Sequence, residues 1–295
     1  MTIGRRGFLM AGGLMAGAGA LTATEALAAP AANGQSVTDF GVEPNSDTDQ
    51  TKALQKAIDE ISTAGDAVQM PGGTYQITAV QLPARCSLIG APGQTLVRGQ
   101  KGQPCFLSSA GAFLYMSGLG FEGAAISGSA SDAVISLVSV RGAAEPAIML
   151  TVSKSVSISL STFEQSSSTA IEVSAEGGAI LTGNHISGCA GGIRLQGSGN
   201  VNGNVIIGAS KLGLRLGGGK RGGIISAINN TLRDCDVALG VAADGETILA
   251  SLNLIMGAKS GAIRALDGDT FVGPDLARES AEAYLNLTLV GNVAR

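Results

Sequence analysis

From Ile148 onward the hydrophobic positions fall into a repeating phrase: a small or apolar residue, Ile or Leu, a variable residue, then Leu or Val. It is seen as Ile148-Met149-Leu150, Ile171-Glu172-Val173, Ile193-Arg194-Leu195, Leu214-Arg215-Leu216 and Val237-Ala238-Leu239, whose first members step by 23, 22, 21 and 23 residues. Ile263-Arg264-Ala265 continues the series after a longer loop. A second column runs Asn184-His185-Ile186, Asn204-Val205-Ile206, Asn230-Thr231-Leu232 and Asn253-Leu254-Ile255, with steps of 20, 26 and 23. Apolar residues two apart read as short strands. Two columns sharing one period read as a solenoid, each circuit of chain laying strands on the last. Parallel strands joined by crossovers take the right-handed sense. The expected fold is all-β, a right-handed parallel β-helix with coils of roughly two dozen residues.

The columns also predict what sits at each corner. Three residues after the second anchors lie Cys189, Ala209, Cys235 and Ala258, preceded by Ala143 and Ser166. A position that stays small in every coil marks a tight inward corner, because stacked strands lie only ~4.8 Å apart. The Asn column reads as a ladder of amides bonding to their neighbours above and below, which leaves those side chains no capacity for catalysis. His185, the sole histidine, precedes an inward anchor and so points outward, with no carboxylate at matching positions to orient it as a base.

Nearer the start, Leu54, Ala57, Ile58 and Ile61 follow the i, i+3, i+4, i+7 spacing of one amphipathic helix. Asp47 with Gln50 three residues on predicts a capping box at its start. Short strands punctuated by Gly and Pro follow, in Met70-Pro71-Gly72-Gly73-Thr74-Tyr75, Leu88-Ile89-Gly90 and Thr95-Leu96-Val97. With Asp39-Phe40-Gly41 and Thr48-Asp49 ahead of them, these landmarks resemble, in order, the opening of pectate-lyase-like β-helix proteins. That resemblance implies an N-terminal capping α-helix over the open end of the solenoid, where strand edges and core would otherwise meet water.

The very beginning reads differently. Arg5-Arg6-Gly7-Phe8-Leu9 leads into an uncharged stretch of Ala, Gly, Leu and Met ending in Ala26-Leu27-Ala28. This resembles a twin-arginine export signal, with cleavage after Ala28 or one residue later. The resemblance implies a bacterial protein, periplasmic or secreted, engaging the twin-arginine export machinery through Arg5 and Arg6. The chain then divides into a signal over 1–28, a cap helix with first coils over 29–97, and repeated coils with a C-terminal cap over 98–295. The polar, Ala-rich segment from Pro274 to Tyr284 is expected to form a short closing helix.

Composition narrows the function. The chain has 44 Gly, no Trp and a net charge of −4, which suits short strands and tight turns. Without a Lys/Arg-rich run there is no footprint for a nucleic acid, and no long apolar run after the first segment suggests a membrane span. Cys189 and Cys235, two coils apart, lie beyond disulfide reach and are expected free. Cys86 and Cys105, 19 residues apart, leave a disulfide open in an oxidising compartment. No cysteine spacing suits zinc, and no cofactor is expected. Gly217-Gly218-Gly219-Lys220-Arg221-Gly222-Gly223 lacks the ending of a phosphate loop and reads as a turn, with Lys220 and Arg221 in solvent and anion binding as the rival reading.

Candidate chemistry lies on the face formed by the variable residue of the first phrase. In order it shows Met149, Glu172, Arg194, Arg215, Ala238 and Arg264. Guanidiniums there can grip the carboxylates of an acidic polysaccharide in bidentate pairs, so Glu172, Arg194, Arg215 and Arg264 are the candidate binding residues. The few aromatics argue against stacking on neutral sugars. Pectate-lyase-like proteins include lyases and hydrolases of uronate chains, but their catalytic motifs do not transfer. Asp234 and Asp236 flank a turn corner without partners in adjacent coils, and Asp267 and Asp269 sit in a glycine turn. The signal, capped helix and laddered coils also resemble an uncharacterised family of twin-arginine-translocated repetitive proteins, which carries no activity to transfer. The expectation is an exported solenoid that binds an acidic polysaccharide, with processing of that chain left open. A polysaccharide lyase or hydrolase proper, and a non-catalytic structural or protein-binding solenoid, are the alternatives.

Overall fold

The computed structural model describes residues 34–219, 222–279 and 281–295. Arg5, Arg6 and the cleavage site near Ala28 lie outside the described residues, as do Lys220 and Arg221.

The described chain is a right-handed parallel β-solenoid with one α-helix at its N-terminal end. Its strands stack into two sheets. The larger carries long bent strands such as Ala124–Ser136, Ile148–Ser159, Thr169–Thr182 and Gly191–Asn202, and the smaller is a column of three-residue strands running through His185–Ser187 and Val205–Ile207. Almost every pairing is parallel and in step: Ile148 lies on Ile171, Ile171 on Ile193 and Ile193 on Leu214. Both anchors of each phrase are buried and form one continuous core, so the period read from the sequence is the coil itself.

The helix, α1 (Thr51–Ala64), buries Leu54, Ala57, Ile58 and Ile61 on the first coil. Its cap differs from the expected capping box. Thr51 N donates to Asp49 Oδ1 at 2.8 Å, and Thr78 Oγ1 donates to Asp49 Oδ2 at 2.9 Å. Hydrogen bonding to Thr51, side chain and backbone, holds the Asp49 carboxyl below its ordinary range. Gln50 instead points away, with Oε1 accepting from Glu43 N at 3.1 Å, and Asp47 is exposed. Asp49 reaches the first free amide from a shorter distance along the chain, leaving Gln50 to tie down the preceding loop.

The Asn ladder stands as expected and gains a rung. Asn184, Asn204, Asn230 and Asn253 each donate from Nδ2 to Oδ1 of the next, ending on Asn292, at 2.9–3.0 Å. The backbone N of each donates to the same oxygen at 3.0–3.1 Å, and each Nδ2 also reaches a strand carbonyl. Ala143, Ser166, Cys189, Ala209 and Cys235 fill the small corner, all buried.

All four cysteines are free and buried. Cys86 does not lie beside Cys105: its partner in the next coil is Leu114, 28 residues on, because the early coils carry longer loops than the later ones. Burial pushes both thiols up to about 12. The segment from Pro274 to Tyr284 forms turns rather than a helix among its described residues. Asp275 fastens it by accepting from Ala262 N and Ile263 N at 2.8 and 2.9 Å.

Candidate functional site

Side chains alternate along a strand, so burying Ile193 and Leu195 forces Arg194 outward, and Leu214 and Leu216 do the same for Arg215. In-step pairing sets Glu172 beside Arg194 and Arg194 beside Arg215. Arg194 Nη1 lies 3.2 Å from Glu172 Oε1, with both side chains about one-third exposed or less.

One register differs from the expected row. Arg215 pairs with Gly240, and Gly240 with Arg264, so the phrase in that coil is Leu239-Gly240-Val241. Ala238 is buried one step earlier, in the column of Ala147, Ala170, Gly192, Gly213 and Ala262 that precedes each anchor. The small first member of the phrase is the signal that discriminates the two frames: Ala238 supplies it, whereas Asp236 ahead of Val237 does not.

Gly240 leaves a gap in the row, and the C-terminal hairpin fills it. Strand Gly261–Asp267 turns at Gly268-Asp269 and returns antiparallel as Thr270–Asp275, a two-residue loop of glycine chemistry with Gly268 at φ +56°. A Cβ at position 240 would lie 2.8 Å from Leu266 Cδ1 and 3.0 Å from Leu212 Cδ2, so the glycine lets these two leucine side chains close over the row. The tip then reaches back over Gly240. Arg215 Nη1 pairs with Asp269 Oδ1 at 2.5 Å, and Nη2 donates to Gly268 O at 2.8 Å. Arg215 is 17% exposed and Asp269 85%, so the carboxylate sits between the guanidinium and solvent. Hydrogen bonding to Arg215 and its charge hold the Asp269 carboxyl below the usual range.

The result is a cleft of about 500 Å³ lined by Thr169, Gly191, Gly192, Ile193, Arg194, Lys211, Leu212, Arg215, Asp236, Leu266, Asp269 and Phe271. It brings Arg194 and Arg215 together, with Glu172 paired at its edge. Arg264 is outside it. That side chain donates to Gly273 O at 3.1 Å and to Ser260 O at 3.4 Å, and lies 5.5 Å from the centre of the Phe271 ring, which braces the hairpin. Asp236 accepts from Ser260 Oγ in the next coil at 2.6 Å, a hydroxyl and not a second carboxylate. His185 is exposed on the other sheet.

Lys211, Asp236, Asp269 and Phe271 were not singled out as site residues from the sequence. Asp236 and Asp269 were read correctly as turn residues, and the fold carries those turns to the cleft. Cationic Arg194, Arg215 and Lys211 are balanced there by Glu172, Asp236 and Asp269. The cleft therefore has no strong net field. The Nε atoms of Arg194 and Arg215 are buried without a hydrogen-bond partner.

Beside the cleft, Glu246 is fully buried. It accepts from Gly197 N, Gly218 N and Gly219 N at 2.8–2.9 Å, which shapes the glycine loop next to Arg215. Gly217 and Gly218 have φ of +83° and +90°, aiming successive amides at one carboxylate. Among the described residues no helix is long and apolar enough to cross a membrane.

Solved structures are similar to this chain at low identity. PfbA, a surface adhesin of Streptococcus pneumoniae, is 12% identical over 89% of this chain and 80% of its own, with a TM-score of 0.50. A glycosyl hydrolase, so described provisionally, from Parabacteroides merdae is 12% identical over 88% and 97%, with a TM-score of 0.39. The A-module of the mannuronan C-5 epimerase AlgE4 of Azotobacter vinelandii is 14% identical over 88% and 95%, with a TM-score of 0.36. The likeness to PfbA is one of fold. No curated protein matches the chain. Residues 35–263 match the family described as rhamnogalacturonase A/epimerase, pectate lyase-like, and the chain belongs to that family.

Proposed function

We propose that this protein is an exported β-helix that binds an acidic polysaccharide in the cleft around Arg194 and Arg215. One observation carries the reading: two guanidiniums on consecutive coils stand side by side at a cleft, each held by a carboxylate that a uronate can replace. Arg215 is engaged through both Nη atoms by Asp269 and Gly268, the planar fork geometry that suits a carboxylate. A uronate taking the place of Asp269 meets the same donors in a partly dry setting, where charge-assisted hydrogen bonds are stronger than in water. Membership of a family described by pectin-degrading and epimerising enzymes supports a carbohydrate ligand. Glu172 and Lys211 border the path such a chain would take, and Arg264 contributes by holding the hairpin.

A second reading, turnover of the glycan, is favoured by Asp236 and Asp269 lining the same cleft, since glycoside hydrolysis uses a pair of carboxylates. Lys211 beside the arginines offers a proton-transfer group for chemistry next to a neutralised uronate carboxylate.

One experiment separates the readings. The protein is incubated with polygalacturonate, rhamnogalacturonan, alginate and neutral glycans, following depletion from solution and the ultraviolet absorbance and reducing ends of products. Binding to an acidic chain that weakens with salt and is lost in Arg194→Ala/Arg215→Ala is the expected result. Product formation selects the enzyme. Binding to none of the acidic chains, or binding indifferent to salt, sinks the proposal.

A further inference from the structure

Outward rows on a parallel β-helix run along its axis, one residue per coil, so a glycan lying on Glu172, Arg194 and Arg215 runs along the axis too. Towards the N-terminal end its path continues over Met149 and Ser127, the next members of the row. Towards the C-terminal end the path stops. Gly240, the next member, is covered by Leu266, and the hairpin tip stands over Arg215 with Asp269 and Phe271 as a wall.

The first strand of the wall is a member of the sheet, paired in parallel with Val237–Ala242. The second is held to the first, where Arg264 donates to Gly273 O and Asp275 accepts from the amides of Ala262 and Ile263. A hairpin whose first strand belongs to the sheet is a stop and not a flap. Granted the acidic-glycan reading above, we infer that the cleft takes the terminus of a uronate chain and excludes its interior. The terminal carboxylate lies at Arg194 and Arg215, and the rest of the chain leaves past Glu172 and Met149.

The test titrates the protein with oligogalacturonate of about five residues and polygalacturonate of about fifty, and with alginate fractions of the same two lengths. Binding at a terminus follows the molar concentration of chains. Half-saturation expressed as total uronate then rises about tenfold from the short to the long fraction. Half-saturation at equal total uronate means interior binding and overturns chain-end recognition while leaving the acidic-glycan reading intact. Binding to neither series overturns both.

A variant with Gly268-Asp269-Thr270 deleted is expected to bind both fractions at equal total uronate, because the path is open. If it retains the tenfold difference with wild-type thermal unfolding, the hairpin is not the stop and the inference fails. Phe271→Ala, which lowers the wall without shortening the loop, is the second variant and is expected to reduce the tenfold ratio at least by half.

Discussion

The asparagine column and the charged row climb the same coils at the same spacing, and each is a polar stripe between apolar anchors. In the asparagine column each of Asn184, Asn204 and Asn230 is fully enclosed, its amide donating to the rung above and to a strand carbonyl, and its carbonyl accepting from the rung below or, at Asn184, from Ser161 N. In the charged row the members are paired sideways and incompletely, with the Nε atoms of Arg194 and Arg215 unpartnered and a cleft opening over them. A repeated polar residue in a solenoid is structural when the repeat itself satisfies it, and is available for chemistry when the repeat is broken. Here Gly240 breaks the row and admits a hairpin that the asparagine column never meets.

Asn204→Ala should separate the two stripes most strongly. It removes the acceptor used by Asn184 N and Nδ2 and the donor used by Leu181 O, leaving buried groups unmade at a cost of about 3 kcal/mol. Denaturant unfolding checks this, and a loss below about 0.5 kcal/mol would remove the ladder from the structural account. The reverse profile is expected of Arg194→Ala/Arg215→Ala: stability falls by less than about 1 kcal/mol, since these pairs are part-exposed. Uronate affinity falls about a hundredfold, by titration calorimetry.

Glu246→Gln tests an intermediate case, a buried charge satisfied by three amides. One oxygen becomes a donor facing donors, so unfolding should come about 2 kcal/mol earlier.

Acid should reach the hairpin through Asp275. Burial works to raise its pKa, but the amides of Ile263, Ala262 and Ala277 outweigh that and hold it below the ordinary carboxylate range. A carboxyl depressed in the folded state contributes stability above its unfolded pKa and loses it as pH falls through the folded value. Thermal unfolding of wild type should therefore weaken below pH about 3.8, and Asp275→Asn should flatten that limb.

The smallest effect is expected of Asp269→Asn. The side chain is exposed, so thermal stability should match wild type, while removal of the carboxylate competing for Arg215 should tighten uronate binding about threefold in the same titration.

Glu172, Arg194 and Arg215 were legible as neighbours because alternation sets which side chains face out and the period sets which coils touch. Arg264 had the same signature and a different fate. Its strand ends the stack on that face and folds back, so its guanidinium is spent on Ser260, Gly273 and Phe271. Asp236, Asp269 and Lys211 lie in turns, where spacing says nothing about which face a side chain will reach. Cys86 and Cys105 show the same limit, since a coil of 28 residues displaces a pairing argued from 19.

The sequence by itself determined the coil period, the inward anchors, the asparagine ladder, the small corner and the helix at the N-terminal end. These are short-range properties: alternation along a strand and repetition between adjacent coils need nothing from distant chain. Only the tertiary structure decided that the last coil doubles back over Gly240, and that this makes a cleft walled at Arg215. Those outcomes depend on loop length and on how closely one segment can approach another, here on an absent Cβ at Gly240, and no periodic pattern carries that information.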